Sequence, residues 1–241
     1  RGCRVYGNSQ GFVGSYASTR HSLSCVVIAE QAGQMRRDYW YDVNRVGTAL
    51  SSAASIGQRA AQRTVARLGA RPVPTCEVPV LFSAELAGGL FGHFLAGISG
   101  GNLYRKASFL DGALGQQLFP EWLSLHENPH MQQDLASANF DADGLATYAK
   151  PFVQDGMIVS YVLGTYSGRK LGMPSTANAG GVHNLLVSHG SEDQTALLKR
   201  MGRGLLVTEL MGQGLNLVTG DYSRGAAGFW VENGEIQYPV Q

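Results

Sequence analysis

Residues 83–94 read Ser83-Ala84-Glu85-Leu86-Ala87-Gly88-Gly89-Leu90-Phe91-Gly92-His93-Phe94 and predict a helix. Ser83 is a favourable N-cap residue, Glu85 places a negative charge in the first turn, and apolar residues follow. The apolar run 78–82 comes directly before and predicts a short strand. The sequence therefore predicts a strand-to-helix junction at Ser83.

This predicted helix carries only part of a metal-binding pattern. A zinc peptidase helix has two His ligands and a Glu base at fixed spacing. His93 would be one ligand, but Gly88 and Gly89 occupy the positions of the other ligand and the base in an HExxxH-type motif. Glycine can neither ligate a metal nor transfer a proton. We therefore predict no catalytic residue and no metal ligand in this chain, with Gly88, Gly89 and His93 as the remnant of a motif.

The glycines of the helix also carry a packing prediction. An interior glycine destabilises a helix by up to about 1 kcal/mol relative to alanine. Gly88, Gly89 and Gly92 would be tolerated if a crossing helix or a ligand approached the backbone closely. We expect these glycines to be packing residues and His93 to be a hydrogen-bonded core histidine.

The composition indicates one globular domain that is rich in turns. The chain has 241 residues, of which 44% are hydrophobic and 32 are glycine, as in a sheet-rich protein. Charged residues make up 15%, against about 25% in an average soluble protein. This low value predicts that another chain or segment covers part of the surface. The sequence has no start methionine and stops within a strand-like pattern, so we expect a piece of a longer protein.

The net charge, the hydropathy and the cysteines limit which classes of binding partner and which cellular compartment the sequence predicts. The net charge of +1, without a basic stripe, argues against nucleic acid and anionic membranes. The apolar run 86–98 is too short for the roughly 20 residues that span a bilayer. Cys3, Cys25 and Cys76 are widely spaced and odd in number, so they predict neither a disulfide framework nor a thiolate zinc site. A reducing, cytoplasmic location fits this pattern best.

The residue patterns predict an α+β fold with antiparallel sheets, one long helix and one short motif-bearing helix, as a single domain over 1–241 truncated at both ends. The predicted segments are strands at 1–43, a helix at 44–69, a strand and the motif helix at 77–110, a loop region at 111–145 and a sheet meander at 150–241. Alternation over 5–41 predicts three strands. Gly69 is the predicted C-cap, 167–181 a long loop, and 194–201 a short helix.

One stretch matches the pattern of serine hydrolases. Residues 7–11 read Gly-Asn-Ser-Gln-Gly, which fits GxSxG. That motif requires a strand before the serine and a helix after it. A strand pattern follows at 12–16, so the sequence predicts a hairpin turn and no nucleophile.

The histidines and paired carboxylates have structural interpretations as well. His126 and His130 are four residues apart, but Pro129 argues against the helix that would orient them as ligands, so we predict loop histidines. Asp141 and Asp143 look like the start of a calcium loop, yet no Glu follows at the required offset. We predict a solvated turn there.

Five segments of the sequence carry a resemblance to a known family. They are Asn8-Ser9-Gln10-Gly11-Phe12, Gly88-Gly89-Leu90-Phe91-Gly92-His93, Phe140-Asp141-Ala142-Asp143-Gly144, Gly164-Thr165-Tyr166-Ser167-Gly168-Arg169-Lys170-Leu171-Gly172 and Gly220-Asp221-Tyr222-Ser223-Arg224-Gly225-Ala226-Ala227-Gly228. With these segments the chain resembles the TldD/PmbA metallopeptidases, specifically the C-terminal domain of the PmbA branch, also called TldE. The resemblance covers essentially the whole chain.

The resemblance implies a role in a two-subunit peptidase. In the catalytic TldD branch the helix carries HExxxH, with a further ligand from a C-terminal region. The PmbA branch is similar in fold but lacks the ligands, as this sequence does at Gly88 and Gly89. The resemblance therefore implies a cytoplasmic heterodimer with a TldD-type subunit that cleaves short, unfolded peptides, including leader segments of modified peptides. It implies zinc in the partner and no cofactor bound by this chain.

Two other hypotheses stay open from the sequence. The chain could be an autonomous peptidase with unconventional ligands, such as His93 with His126 or His130, if these side chains converge on one metal. It could also be a non-enzymatic peptide-binding or assembly protein without a hydrolytic partner.

Overall fold

The computed structural model describes all 241 residues. The first part of the chain forms two antiparallel hairpins and a helix. In chain order these are β1 Gly2–Gly7, β2 Val13–Ser18, β3 His21–Gln31, β4 Gln34–Asn44 and α1 Ala53–Ala66. The helix packs across one face of the β3–β4 hairpin. Four strands are present where the alternation predicted three.

The second part of the chain forms two four-stranded sheets with short helices. Its elements are β5 Val80–Phe82, α2 Ala84–Gly97, α3 Gly100–Leu103, β6 Leu125–Glu127, β7 Lys150–Gln154, β8 Met157–Ile158, α4 Thr165–Leu171, β9 Leu185–Val187, α5 Gln194–Met201, β10 Gly204–Met211, β11 Gly225–Glu232 and β12 Glu235–Val240. The strand orders are β12-β11-β10-β5 and β8-β7-β6-β9. Only β5 pairs in parallel, with β10, so the predicted α+β class with antiparallel sheets is confirmed.

The main hydrophobic core joins α2 and α3 to the sheet that contains β6 and β7. Ile98, Leu103, Leu125 and Phe152 are fully buried in it. Burying side chains of this size stabilises a fold by roughly 1.5–3 kcal/mol each relative to an exposed position. This core fixes the C-terminal end of α2 more firmly than its N-terminal end.

Polar and aromatic contacts connect the two parts of the chain. The guanidinium group of Arg67, the residue directly after α1, binds Glu209 in β10 and lies 3.5 Å from the Asp38 carboxylate in β4. The ring of Phe140 meets those of Phe12 and Tyr16, with centroids 5.7 and 5.2 Å apart. The β1–β2 hairpin is thereby held against the second part.

The helix predicted at 44–69 is shorter than expected. It begins at Ala53, because the Ser52 side chain caps it by accepting a hydrogen bond from the Ser55 amide at 3.2 Å. The Asp42 carboxylate holds Ser51 outside the helix through the amide and hydroxyl of that serine, each at 2.8 Å. The helix ends at Ala66, and Gly69 follows with a φ of 71°.

Two predictions for the second half are wrong. The region 111–145 is not only loop, because it contains β6, which pairs with β7 and β9 on its two sides. The region 150–241 is no simple meander, because it contains the unpredicted helix α4 and contributes strands to both sheets. Helix α4 occupies part of the predicted loop 167–181, whereas α5 spans 194–201 as predicted. No helix is long and apolar enough to cross a membrane.

Candidate functional site

Helix α2 starts directly after β5, where the sequence predicts the junction. Parallel pairing of β5 with β10 sets the direction of entry, and the Ser83 amide donates a hydrogen bond to the Val207 carbonyl at 2.9 Å. Ser83 occupies the N-cap position but makes no capping hydrogen bond, and its buried hydroxyl has no partner. The helix start is therefore fixed by the sheet and not by the predicted side-chain cap.

One face of α2 is open and consists of glycine. A Cβ atom added at Gly88, Gly89 or Gly92 would meet no atom within 4 Å. On the opposite side Phe94 is buried, with its ring centroid 5.1 Å from that of Phe119. The packing prediction for these glycines is wrong within this chain, since no other element crosses the helix there. We call Gly88, Gly89 and Gly92 the glycine face.

Alanine on the glycine face is expected to stabilise the isolated chain. Gly88→Ala and Gly89→Ala should each raise the free energy of unfolding by up to about 1 kcal/mol, because the backbone entropy of glycine is removed without a steric clash. Gly97→Ala in the same helix is the matched control. Its Cβ would lie 2.9 Å from the end of the Leu110 side chain in the core, so Leu110 must shift and Gly97→Ala should stabilise less than the other two variants. Urea unfolding measures all three; destabilisation by the first two would contradict an open face.

His93 does not occupy the predicted environment of a hydrogen-bonded core histidine. Its ring is half-buried and contacts Tyr222, with centroids 5.8 Å apart and planes inclined by 56°. The contact is aromatic. Through this contact His93, a residue of α2, packs against the loop that precedes β11.

The residues present do not fit a zinc ion. Zinc sites use three or four N, O or S ligands. No group of three or more His, Cys, Asp or Glu side chains lies close enough together to hold a metal. His126 and His130 do not join His93 at a common metal site. His126 is exposed on β6, and His130 Nε2 lies 3.0 Å from the Thr147 hydroxyl.

A cleft opens two residues after the end of α2. It has a volume of about 460 Å³, and its lining includes Ser99, Tyr104, Asp143, Tyr166, Asn178 and Gly180. The rings of Tyr104 and Tyr166 meet edge to face, with centroids 5.7 Å apart. We call this feature the tyrosine cleft.

Two aspartates position the walls of the tyrosine cleft. Asp143 Oδ2 accepts hydrogen bonds from the Thr165 amide and hydroxyl at 2.8 and 2.6 Å, which fixes the start of α4. Asp141 Oδ1 accepts from the amides of Asp143 and Leu145 at 2.9 Å each, and Oδ2 accepts from the Ala179 amide at 3.0 Å. The prediction of a solvated turn is wrong for Asp141, which is 1% exposed, whereas Ala142 in the same turn is exposed.

Behind this cleft lies a fully buried carboxylate, Glu127 on β6. Its oxygens accept hydrogen bonds from the Lys150 ammonium group, from Asn178 Nδ2 at 2.8 and 3.1 Å, and from His183 N and Nδ1 at 2.6 and 2.9 Å. Since a carboxylate only accepts, His183 Nδ1 carries a proton. Burial raises the pKa of Glu127, but the hydrogen bonds from His183, Lys150 and Asn178 outweigh it and lower the pKa to about 2.

The Glu127 network joins β6 and β7 to the segment 178–183, of which residues 178–181 line the tyrosine cleft. Its members are far apart in the sequence, and none stands in a recognisable motif. The sequence gives no signal for this network.

Comparison with known proteins decides the family. A family model described as the PmbA/TldA metallopeptidase C-terminal domain matches residues 75–241, and a model described as the central domain matches 1–68. The chain belongs to the PmbA/TldD metallopeptidase family. The boundary between the two matched regions lies between α1 and β5. That residues 1–241 form a single domain stays a prediction.

Relatives and solved structures of the family agree with this assignment. The chain is 50% identical over 239 residues to Metalloprotease PmbA of Escherichia coli O157:H7, covering 99% of this chain and 53% of that protein. It therefore spans about half the length of the curated relatives it matches. A Thermotoga maritima structure, described as a candidate modulator of a DNA gyrase, is 31% identical with a TM-score of 0.91, covering 99% of this chain and 57% of that one. TldE of Thermococcus kodakarensis shares the fold, with 21% identity, a TM-score of 0.84 and the same coverages.

The segments that carry the likeness to the PmbA/TldD family come together in space in two groups. The β1–β2 turn, the 140–144 turn and α4 form one group, and the glycine-bearing helix and the loop before β11 form the other. Three contacts show this: Phe12 with Phe140, Asp143 with Thr165, and His93 with Tyr222.

The remaining predicted positions have ordinary structural roles. Residues 7–11 form the β1–β2 turn, where Asn8 Oδ1 accepts from the amides of Gln10 and Phe12 at 3.0 and 3.2 Å. The hairpin interpretation of the GxSxG match is confirmed. The loop prediction is wrong for His126, which lies in a strand paired on both sides, and correct for His130.

Proposed function

We propose that this chain is part of the metal-free subunit of a zinc peptidase complex, in which a TldD-type subunit supplies the zinc and the catalytic base. The observation that carries the proposal is the glycine face: α2 occupies the place of the motif helix, yet Gly88 and Gly89 stand at the ligand and base positions. Membership of a metallopeptidase family makes peptide hydrolysis the reaction class.

In this proposal the chain shapes a binding surface for short, unfolded peptides. The glycine face lets another main chain approach α2 closely, because no side chain stands in the way. The tyrosine cleft adds aromatic surface beyond the end of the same helix. Both features suit a main chain without fixed structure, whose own backbone groups are free to pair.

Metal analysis combined with peptide digestion tests the proposal. The full-length protein that contains this chain should carry no stoichiometric zinc and leave an unfolded peptide intact, whereas addition of a TldD-type partner should produce cleavage. A partner whose HExxxH histidines are replaced by alanine is the control and should restore nothing.

Two results would contradict the proposal. Stoichiometric zinc with cleavage in the absence of the partner would favour an autonomous peptidase with unconventional ligands. Co-purification with a partner or peptide, without activity in any combination, would favour a peptide-binding or assembly protein.

We also propose a cytoplasmic location without nucleic acid or membrane as partner. All three cysteines are free thiols, and Cys3 and Cys76 are exposed, which suits a reducing compartment. The net charge of +1 offers little attraction for polyanions. Fractionation that recovers the protein from the periplasm would contradict the location.

A further inference from the structure

The rim of the tyrosine cleft carries positive charge that no carboxylate of the chain neutralises. Arg105 follows Tyr104 directly, and its guanidinium carbon lies 5.5 Å from the centroid of that ring. The Lys170 ammonium group lies 5.7 Å from the centroid of the Tyr166 ring. Neither of these two cations takes part in an ion pair, whereas the neighbouring Lys106 binds Asp111 at 2.7 Å. Arg105 donates one hydrogen bond to the neutral Asn102 side chain at 3.2 Å, which leaves its charge without a counter-charge.

The one carboxylate of the tyrosine cleft already accepts hydrogen bonds from within the chain. Asp143 is the only carboxylate that lines the tyrosine cleft. Its Oδ2 accepts two hydrogen bonds from Thr165, so it is held in the wall and not turned towards the rim cations. Two cations without an ion pair, Arg105 and Lys170, thus stand beside a cleft whose one carboxylate is engaged, on a chain whose net charge is only +1.

The two tyrosine rings supply the apolar part of the surface. Tyr166 is 56% exposed and meets Tyr104 edge to face. Cations held beside such rings keep their charge available to a ligand while their stems cover apolar surface. Gly180, with a φ of 92°, adds a stretch of backbone without a side chain to the lining of the cleft.

We propose that the tyrosine cleft selects peptide segments that carry carboxylate side chains. A Glu or Asp of the bound peptide would pair with Arg105 and Lys170, and its neighbours in the peptide would lie against Tyr104 and Tyr166. This inference rests on the proposed function, because it names the class of peptide that the subunit receives. Aromatic rings beside cations also suit single-stranded nucleic acid, but two cations beside one cleft do not form the basic stripe that a phosphate backbone requires.

Binding of matched peptides to the full-length protein tests the selection. We compare fluorescently labelled unstructured peptides that are identical except that Glu in one is replaced by Gln in the other. The Glu peptide should bind roughly tenfold more tightly at low salt, the effect of two partly exposed ion pairs, and the difference should shrink as salt is added. The double variant Arg105→Gln/Lys170→Gln should bind the Glu peptide only as tightly as the Gln peptide.

A matched control removes the same charge elsewhere. Arg20→Gln/Lys199→Gln replaces two exposed cations outside the cleft and should leave the tenfold preference in place. Equal binding of both peptides by the unaltered protein would overturn the acidic preference and leave the proposed function standing. Failure to bind either peptide would contradict both. Displacement of the Glu peptide by a thymidine oligonucleotide at lower concentration than by unlabelled Glu peptide would overturn the inference in favour of nucleic acid.

Discussion

Replacement of Glu127 by alanine should destabilise the fold by roughly 3–5 kcal/mol, the cost of breaking a buried ion pair by removing one partner. The ammonium group of Lys150, which is 8% exposed, would lose its counter-charge. The side chains of Asn178 and His183 would lose their acceptor at the same time. Chemical unfolding of the purified protein measures the loss.

Two further variants separate the charge from the packing. Glu127→Gln keeps the shape but not the charge, and it should still destabilise because Lys150 remains buried and charged. Glu127→Gln/Lys150→Met removes both charges and should recover much of the loss. Glu235→Gln, at an exposed position, is the control and should stay within about 0.5 kcal/mol of the unaltered protein. A Glu127 variant as stable as this control would contradict the network.

The same carboxylate predicts a pH dependence. Its pKa is about 2 in the folded protein against an ordinary 4.5. A lowered folded-state pKa means that the stabilisation is fully present above pH 4.5 and is lost as the pH falls from there towards 2. The shift corresponds to roughly 3 kcal/mol. Unfolding midpoints of the unaltered protein and Glu127→Gln should therefore converge across this window; parallel curves would show that Glu127 does not carry the effect.

Elements with local signals could be predicted from the sequence, and elements held from a distance could not. Helix α5 has its own N-cap, Asp193, which accepts from the Ala196 amide at 2.8 Å, and its predicted bounds are correct. Helix α4 was missed because the side chain that holds its first residue, Asp143, lies 22 positions earlier. Strand β6 has three residues, without alternation, and exists because β7 and β9 flank it.

The same distinction between local signals and distant contacts applies to the candidate site. Gly88, Gly89 and His93 could be placed on one helix from spacing alone, and the structure has that helix. What lies opposite them depends on tertiary contacts, so the predicted packing of the glycines was wrong. The Glu127 network was out of reach, because its partners lie 23, 51 and 56 positions away in the chain. No periodic pattern or short motif encodes contacts between residues so far apart in the chain.

The second large effect is expected at Asp141, which links the 140–144 turn to the wall of the tyrosine cleft. Asp141→Ala would leave three amide groups without their charged acceptor, and hydrogen bonds to charged groups contribute roughly 1.5–3 kcal/mol each. Some of these amides would gain water, so we expect a loss of about 3 kcal/mol or more. Asp193→Ala, which removes the exposed cap of α5, is the control and should lose only about 1 kcal/mol.

Asp141→Asn distinguishes the role of Asp141 in the turn from its role in holding the cleft wall. The amide oxygen can still accept from the amides of Asp143 and Leu145, but an NH₂ group would face the Ala179 amide, and two donors cannot pair. We therefore expect a smaller loss of stability than for Asp141→Ala, together with faster hydrogen exchange at Ala179. If Ala179 positions the wall that receives peptide, affinity should fall in Asp141→Asn but not in Asp193→Ala. Unchanged exchange at Ala179 would mean that this carboxylate does not hold the wall.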